Sequence, residues 1–130
     1  MSGRTTPAGG QVSSQGVAGV INYTPTITHP GATFSAPTGS YIKLPGCLLL
    51  WAAYSVSVGA AASANITLPA GYTVTTLPGV GTMTVGSASF GSAGGSWVAW
   101  ATAAASSINV PISTATTGTF SVAVMVLVTS

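Results

Sequence analysis

From Tyr41 to Thr129 the chain is a succession of short stretches in which large apolar residues alternate with small polar ones, each stopped by Pro or Gly. That period of two is the pattern of a pleated strand with one face in a core and the other outside it. Tyr54-Ser-Val-Ser-Val58, Ser63-Ala-Asn-Ile-Thr-Leu68 before Pro69, Tyr72-Thr-Val-Thr-Thr-Leu77 before Pro78-Gly79, and Ser107-Ile-Asn-Val-Pro-Ile112 all carry it. Tyr41–Leu44 stops at Pro45-Gly46. Thr82–Val85 and Ala88–Phe90 precede a glycine-rich loop, and Trp97–Trp100 follows it. Thr119–Thr129 is the longest strand candidate, and Cys47-Leu-Leu-Leu-Trp51 is a continuous apolar run of strand length. Seven to nine strands at this spacing predict an all-β, antiparallel β-sandwich or barrel, jelly-roll-like in layout. Trp51 is expected to be buried at the end of its strand. The Ala-rich runs 59–64 and 101–106 are too short to be stable helices alone and are assigned to loops or hairpin turns.

Residues 1–38 differ. They are rich in Gly, Ser, Thr and Pro, and Pro7, Pro25, Pro30 and Pro37 oppose any helix. The division expected is an extended N-terminal arm at 1–38 and a β-sandwich knob at 39–130. Val17-Ala-Gly-Val20-Ile21 reads as either a short strand or an anchor. Val20, Ile21 and Tyr23 are the arm's candidate anchoring residues, since an arm without its own core must order against another surface.

Charge then limits function. The 130 residues contain no Asp or Glu, and Arg4 and Lys43 are the only fixed positive charges. A chain without carboxylates offers no paired-acid glycosidase, aspartic dyad or Ser-His-Asp triad, and no carboxylate-built calcium or magnesium site. One His and one Cys do not complete a zinc site. His29 and Cys47 have no spacing that brings them together as a thiolate–imidazole pair. The expectation is therefore no catalytic residue, no cofactor and no metal. Two separated cations give no basic patch, so nucleic acid lacks its main attraction. The apolar run Val122–Val128 is far short of the roughly 20 residues of a spanning helix, and Met1–Gly10 has no apolar leader core, so no membrane partner is expected. Cys47 is read as a buried free thiol, with an interchain disulfide as the alternative. Asn22-Tyr-Thr24 and Asn65-Ile-Thr67 match the N-glycosylation sequon and are read as chance matches in a Thr-rich chain.

Without Lys and Glu, the outward strand positions are Thr and Ser, and strand edges lack their usual charged guards. Covering those edges with identical copies predicts an obligate homo-oligomer, a trimer around a threefold axis. Trp97 and Trp100 are three apart, so on one strand they face opposite ways. At least one is a candidate for an interface or receptor contact.

Ile42-Lys-Leu-Pro-Gly-Cys-Leu-Leu-Leu-Trp51, Ile66-Thr-Leu-Pro69 followed by Ala70-Gly71-Tyr72, and Gly118-Thr-Phe-Ser-Val-Ala-Val resemble the C-terminal tip domain of bacteriophage tail fibres over about 90 residues. Leu50 and Ala52 stand where that family has Gln and Gly around the Trp. The resemblance implies a homotrimeric β-sandwich on the virion exterior and carries over no catalytic or metal residue. An arm followed by an uncharged β-knob also resembles capsid decoration, or head-fibre, proteins, trimers that clamp neighbouring capsomers. The expected function is thus a non-enzymatic phage virion structural protein, a trimeric surface appendage anchored by its arm to capsid or tail proteins. Capsid decoration leads. A tail-fibre tip or other module that binds host surface glycan is the alternative.

Overall fold

The computed structural model describes residues 19–91 and 95–129. Ten strands account for most of them: β1 (Val20–Tyr23), β2 (Ile27–Thr28), β3 (Thr33–Leu44), β4 (Cys47–Val58), β5 (Ser63–Thr67), β6 (Thr73–Val74), β7 (Thr82–Phe90), β8 (Ser96–Thr102), β9 (Ser107–Pro111) and β10 (Gly118–Thr129). Every pairing is antiparallel. The all-β antiparallel class follows from the alternation. Hydrogen bonds link nine strands in the order β1-β3-β4-β10-β7-β8-β9-β5-β2, with β6 on the end of β10. The sheet curls around one core. The Ala-rich runs form no helix: 59–62 is loop, and 103–106 is a turn with Ala104 in the left-handed region.

The two ends of this path are β1 and β2, separated only by Thr24-Pro-Thr26. One nearly continuous segment therefore pairs with β3 at one end of the sheet and with β5 at the other. Thr67 secures the join. Its N–H donates to the Thr26 carbonyl, its hydroxyl accepts from the Thr26 N–H, and its carbonyl accepts from the Tyr23 hydroxyl at 2.9 Å.

The core follows from the period of two. Leu48, Leu50, Ala52, Tyr54 and Val56 point inward from β4, and Phe120, Val122, Val124, Val126 and Val128 from β10. Ile66, Ala99, Ala101, Ile108 and Val110 close the other wall. Tyr54, Phe90 and Phe120 meet at ring separations of 4.9 and 5.1 Å. Each such aromatic contact adds roughly 0.5–1.5 kcal/mol beyond area burial. β10 approaches β7 so closely at Gly86 that a Cβ there would lie 2.1 Å from the Ala123 carbonyl oxygen. Only glycine admits this contact.

Two expectations need correction. The arm–knob boundary between 38 and 39 falls inside β3, and residues 19–38 belong to the sheet; the remaining arm residues, 1–18, lie outside those described. Pro37 is accommodated in the strand because it sits in a bulge between Ser35 and Thr38, beside Ala36 at φ 56°, on a stretch of β3 that β1 does not reach. No ladder bond is required of its nitrogen there. Trp51 is not buried: its neighbours Leu50 and Ala52 face inward, and the indole points out, 41% exposed. His29 lies just past β2, before the Pro30-Gly31 turn, and is buried at 3% exposure.

Candidate functional site

Two outer surfaces of the sheet stand out. The first is apolar. Register places Val20, Ile42, Leu49 and Met125 in one row across β1, β3, β4 and β10. Leu44, Cys47 and Leu127 form the next row. Trp51 lies between Ser40 and Ala123 in the row on the other side. Met125 is 57% exposed and Val20 40%. The run Cys47–Trp51 is apolar throughout because both of its faces carry large side chains, one set in the core and one set here. Beyond Trp51 the face becomes a shallow groove of about 450 Å³, floored by small residues such as Ala53, Ser121 and Ser89.

The second surface lies on β7, β8, β9, β5 and β2. Thr84, Trp100, Asn109, Asn65 and Thr28 form one cross-strand row on its outer face. Asn109 Nδ2 donates to Asn65 Oδ1 at 3.1 Å. Asn65 and Asn109, with Thr82, Thr102, Ala105 and Ser107, line a cleft of about 430 Å³ that Trp100 borders. On its other side Trp100 borders a smaller hollow of about 290 Å³ with Met83 and Thr84. The indole is 43% exposed. It is a large aromatic wall, with amides and hydroxyls opposite, on a rigid strand scaffold.

Trp97 and Trp100 face opposite ways, as their spacing requires. Trp97 turns inward, edge-on to Phe90 at 5.7 Å, and its Nε1–H donates to the Ser113 hydroxyl at 3.0 Å. Trp100 is the outward one. Of the three proposed arm anchors, Val20 lies on the outer apolar face and Ile21 stays 44% exposed at the edge. Tyr23 is half-buried, stacked edge-on against Tyr41 at 5.7 Å and bonded to Thr67, so its phenol serves the closure of this domain. Burial, and secondarily Tyr41, push that phenol above the ordinary tyrosine range.

His29 and Cys47 stay apart. Cys47 faces out from β4, whereas His29 faces the core. The histidine has Nε2 on the Ala60 carbonyl at 2.9 Å and Nδ1 on the Tyr54 hydroxyl at 3.1 Å. Since a carbonyl only accepts, Nε2 carries the proton and the Tyr54 hydroxyl donates to Nδ1. This imidazole is a core polar group with both nitrogens satisfied.

Sequence reading missed Asn65 and Asn109. Each is the third residue of an alternating stretch, Ser63-Ala-Asn65 and Ser107-Ile-Asn109, at an outward position. That much was visible; their pairing beside Trp100 depends on the register of β5, β9 and β8, which alternation does not fix. No family model matches this chain, and no curated protein or solved structure matches it either.

Proposed function

We propose that this chain is a non-enzymatic structural subunit of a bacteriophage virion, a homotrimeric surface appendage in which the outer face of β1, β3, β4 and β10 is buried between copies. The observation that carries this reading is the row Val20–Ile42–Leu49–Met125, flanked by Leu44, Leu127 and Trp51. Contiguous exposed apolar surface of this kind marks an association site. β3, β4 and β10 have 12 residues each, about 40 Å at full extension. With their neighbours they offer on the order of the 800 Å² per partner of a standard interface. The partner is another copy of this chain: the face carries no charge that would repel an identical neighbour, and around a threefold axis it packs against a different patch of the next copy. Capsid decoration is the leading placement, with the stretch before β1 as the attachment segment. The second reading, a tail-fibre tip or other receptor-binding module, is favoured by the Trp100 cleft, which the apolar face leaves open.

Sedimentation equilibrium tests the assembly. The wild-type chain is expected to be a trimer, and Met125→Glu a folded monomer with an unchanged far-ultraviolet circular dichroism spectrum, less stable than wild type by the lost association energy. A wild-type monomer would remove the reading. Quantitative mass spectrometry of purified virus particles tests the placement: many copies on the shell support decoration, a few on the tail support the fibre tip, and absence from particles refutes both.

A further inference from the structure

We propose that the cleft between Trp100 and the Asn109–Asn65 pair binds a neutral carbohydrate. The inference gives a place and a ligand class to the receptor-binding reading, yet it does not depend on a virion, since a free lectin-like module would carry the same site.

Trp100 supplies the first element. A tryptophan 43% exposed in the middle of a sheet leaves a broad apolar plane in water, and it separates two hollows. The C–H face of a pyranose is a flat apolar partner for such a plane. Burying an indole face while leaving its edge wet is how amphipathic rings contribute most.

The asparagines supply the second. Asn109 Nδ2 donates to Asn65 Oδ1, which fixes both amides. Two donors on Asn65 Nδ2 and the acceptor Asn109 Oδ1 remain. They project side by side from neighbouring strands. Neighbouring hydroxyls of a sugar each donate and accept, so they match a donor and an acceptor presented side by side. Ser107, Thr102 and Thr82 add hydroxyls at the rim, and the cleft volume of about 430 Å³ falls within the range of small-ligand sites.

Charge sets the class. No carboxylate exists in the sequence to hold a bridging calcium ion. Lys43, the one charged side chain among the described residues, lies on β3 over the ring of Tyr72 and does not line the cleft. A sialic or uronic acid would find no counter-charge there. A neutral hexose, deoxyhexose or N-acetylhexosamine loses nothing by that.

Saturation-transfer and indole-region NMR on the intact chain test this. The probes are the methyl glycosides of glucose, galactose, mannose, rhamnose and N-acetylglucosamine, with N-acetylneuraminic acid as the charged comparison. At least one neutral glycoside is expected to bind and to shift the Trp100 indole signal, unaffected by EDTA. Trp100→Ala and Asn109→Ala should each weaken it about tenfold or more, and Trp51→Ala should not. If Asn109→Ala fails to fold, Asn65→Ser, outward on its own strand, takes its place. The proposal is overturned if no neutral glycoside binds, if binding survives Trp100→Ala, or if the charged sugar is preferred. None of these results changes particle copy number or sedimentation, so this inference and the assembly reading fail separately.

Discussion

The hydroxyl of Tyr54 donates to Nδ1 of His29 over 3.1 Å, joining the middle of β4 to the end of β2 inside the core. The bond is the reason a histidine can lie 3% exposed among valines and phenylalanines. Its second nitrogen is met by the Ala60 carbonyl, so the ring holds the 59–62 loop to the strand that begins the fold.

Tyr54→Phe keeps the ring and its contacts with Phe34 and Phe120 but leaves Nδ1 buried without a donor. An unsatisfied buried acceptor costs about 1–3 kcal/mol. Urea unfolding should show that loss with an unchanged denaturant slope. Equal stability would mean that water replaces the phenol.

Stability should also fall in alkali. Burial holds the Tyr54 and Tyr23 phenols above the ordinary tyrosine value. Above about pH 10 the unfolded chain releases protons that the folded chain retains. The stabilisation of the neutral phenols is therefore complete below about pH 9 and declines above about pH 10. The limiting slope is about 1.4 kcal/mol per pH unit for each phenol, less for Tyr23, which is partly exposed. Unfolding free energies measured from pH 7 to 11 should bend downward at the alkaline end, and more shallowly in Tyr54→Phe. A flat profile for the wild type would contradict the burial of both hydroxyls.

Gly39 pairs with Tyr23, and the tyrosine ring lies across it: a Cβ on Gly39 would stand 2.5 Å from Tyr23 Cε1. Gly39→Ala should push the ring aside and loosen its bond to Thr67, costing about 1–3 kcal/mol. In a Tyr23→Leu background the same change should cost much less. The double-mutant cycle measures this coupling directly, and simple additivity would show that the ring does not depend on the glycine.

The strand content was legible because hydroxyl-bearing and aliphatic residues alternate without interruption; β5, β9 and β10 lie within a residue or two of the stretches that announce them. The outer face was legible only in part. Leu49 and Trp51 stand in an unbroken apolar run, and such a run does not say which side chains enter the core, so Trp51 was assigned to the wrong face. Residues 20–38 read as an arm because they are rich in Gly, Ser, Thr and Pro and carry few large apolar residues. Pro25 lies in the link between β1 and β2 and Pro37 in a bulge, both places where a missing N–H costs no pairing. The Asn65–Asn109 contact spans 44 positions in the chain, and no local pattern encodes such a separation.

The placement of β10 has a consequence for biosynthesis. Of the ten strands described, the last to leave the ribosome lies at the centre of the sheet, between β4 and β7. Until it emerges, β4 and β7 have no neighbour to hold them side by side, and the inward Val and Phe side chains of β10 are missing from the middle of the core. The opening strand likewise waits for β5 before it can join the two margins of the sheet. The sheet is therefore completed only once β10 has emerged, and a nascent chain arrested before Gly118 should remain protease-sensitive however much of the preceding sequence has emerged. The apolar outer face is also complete only then, because β10 supplies Met125 and Leu127 to its two rows.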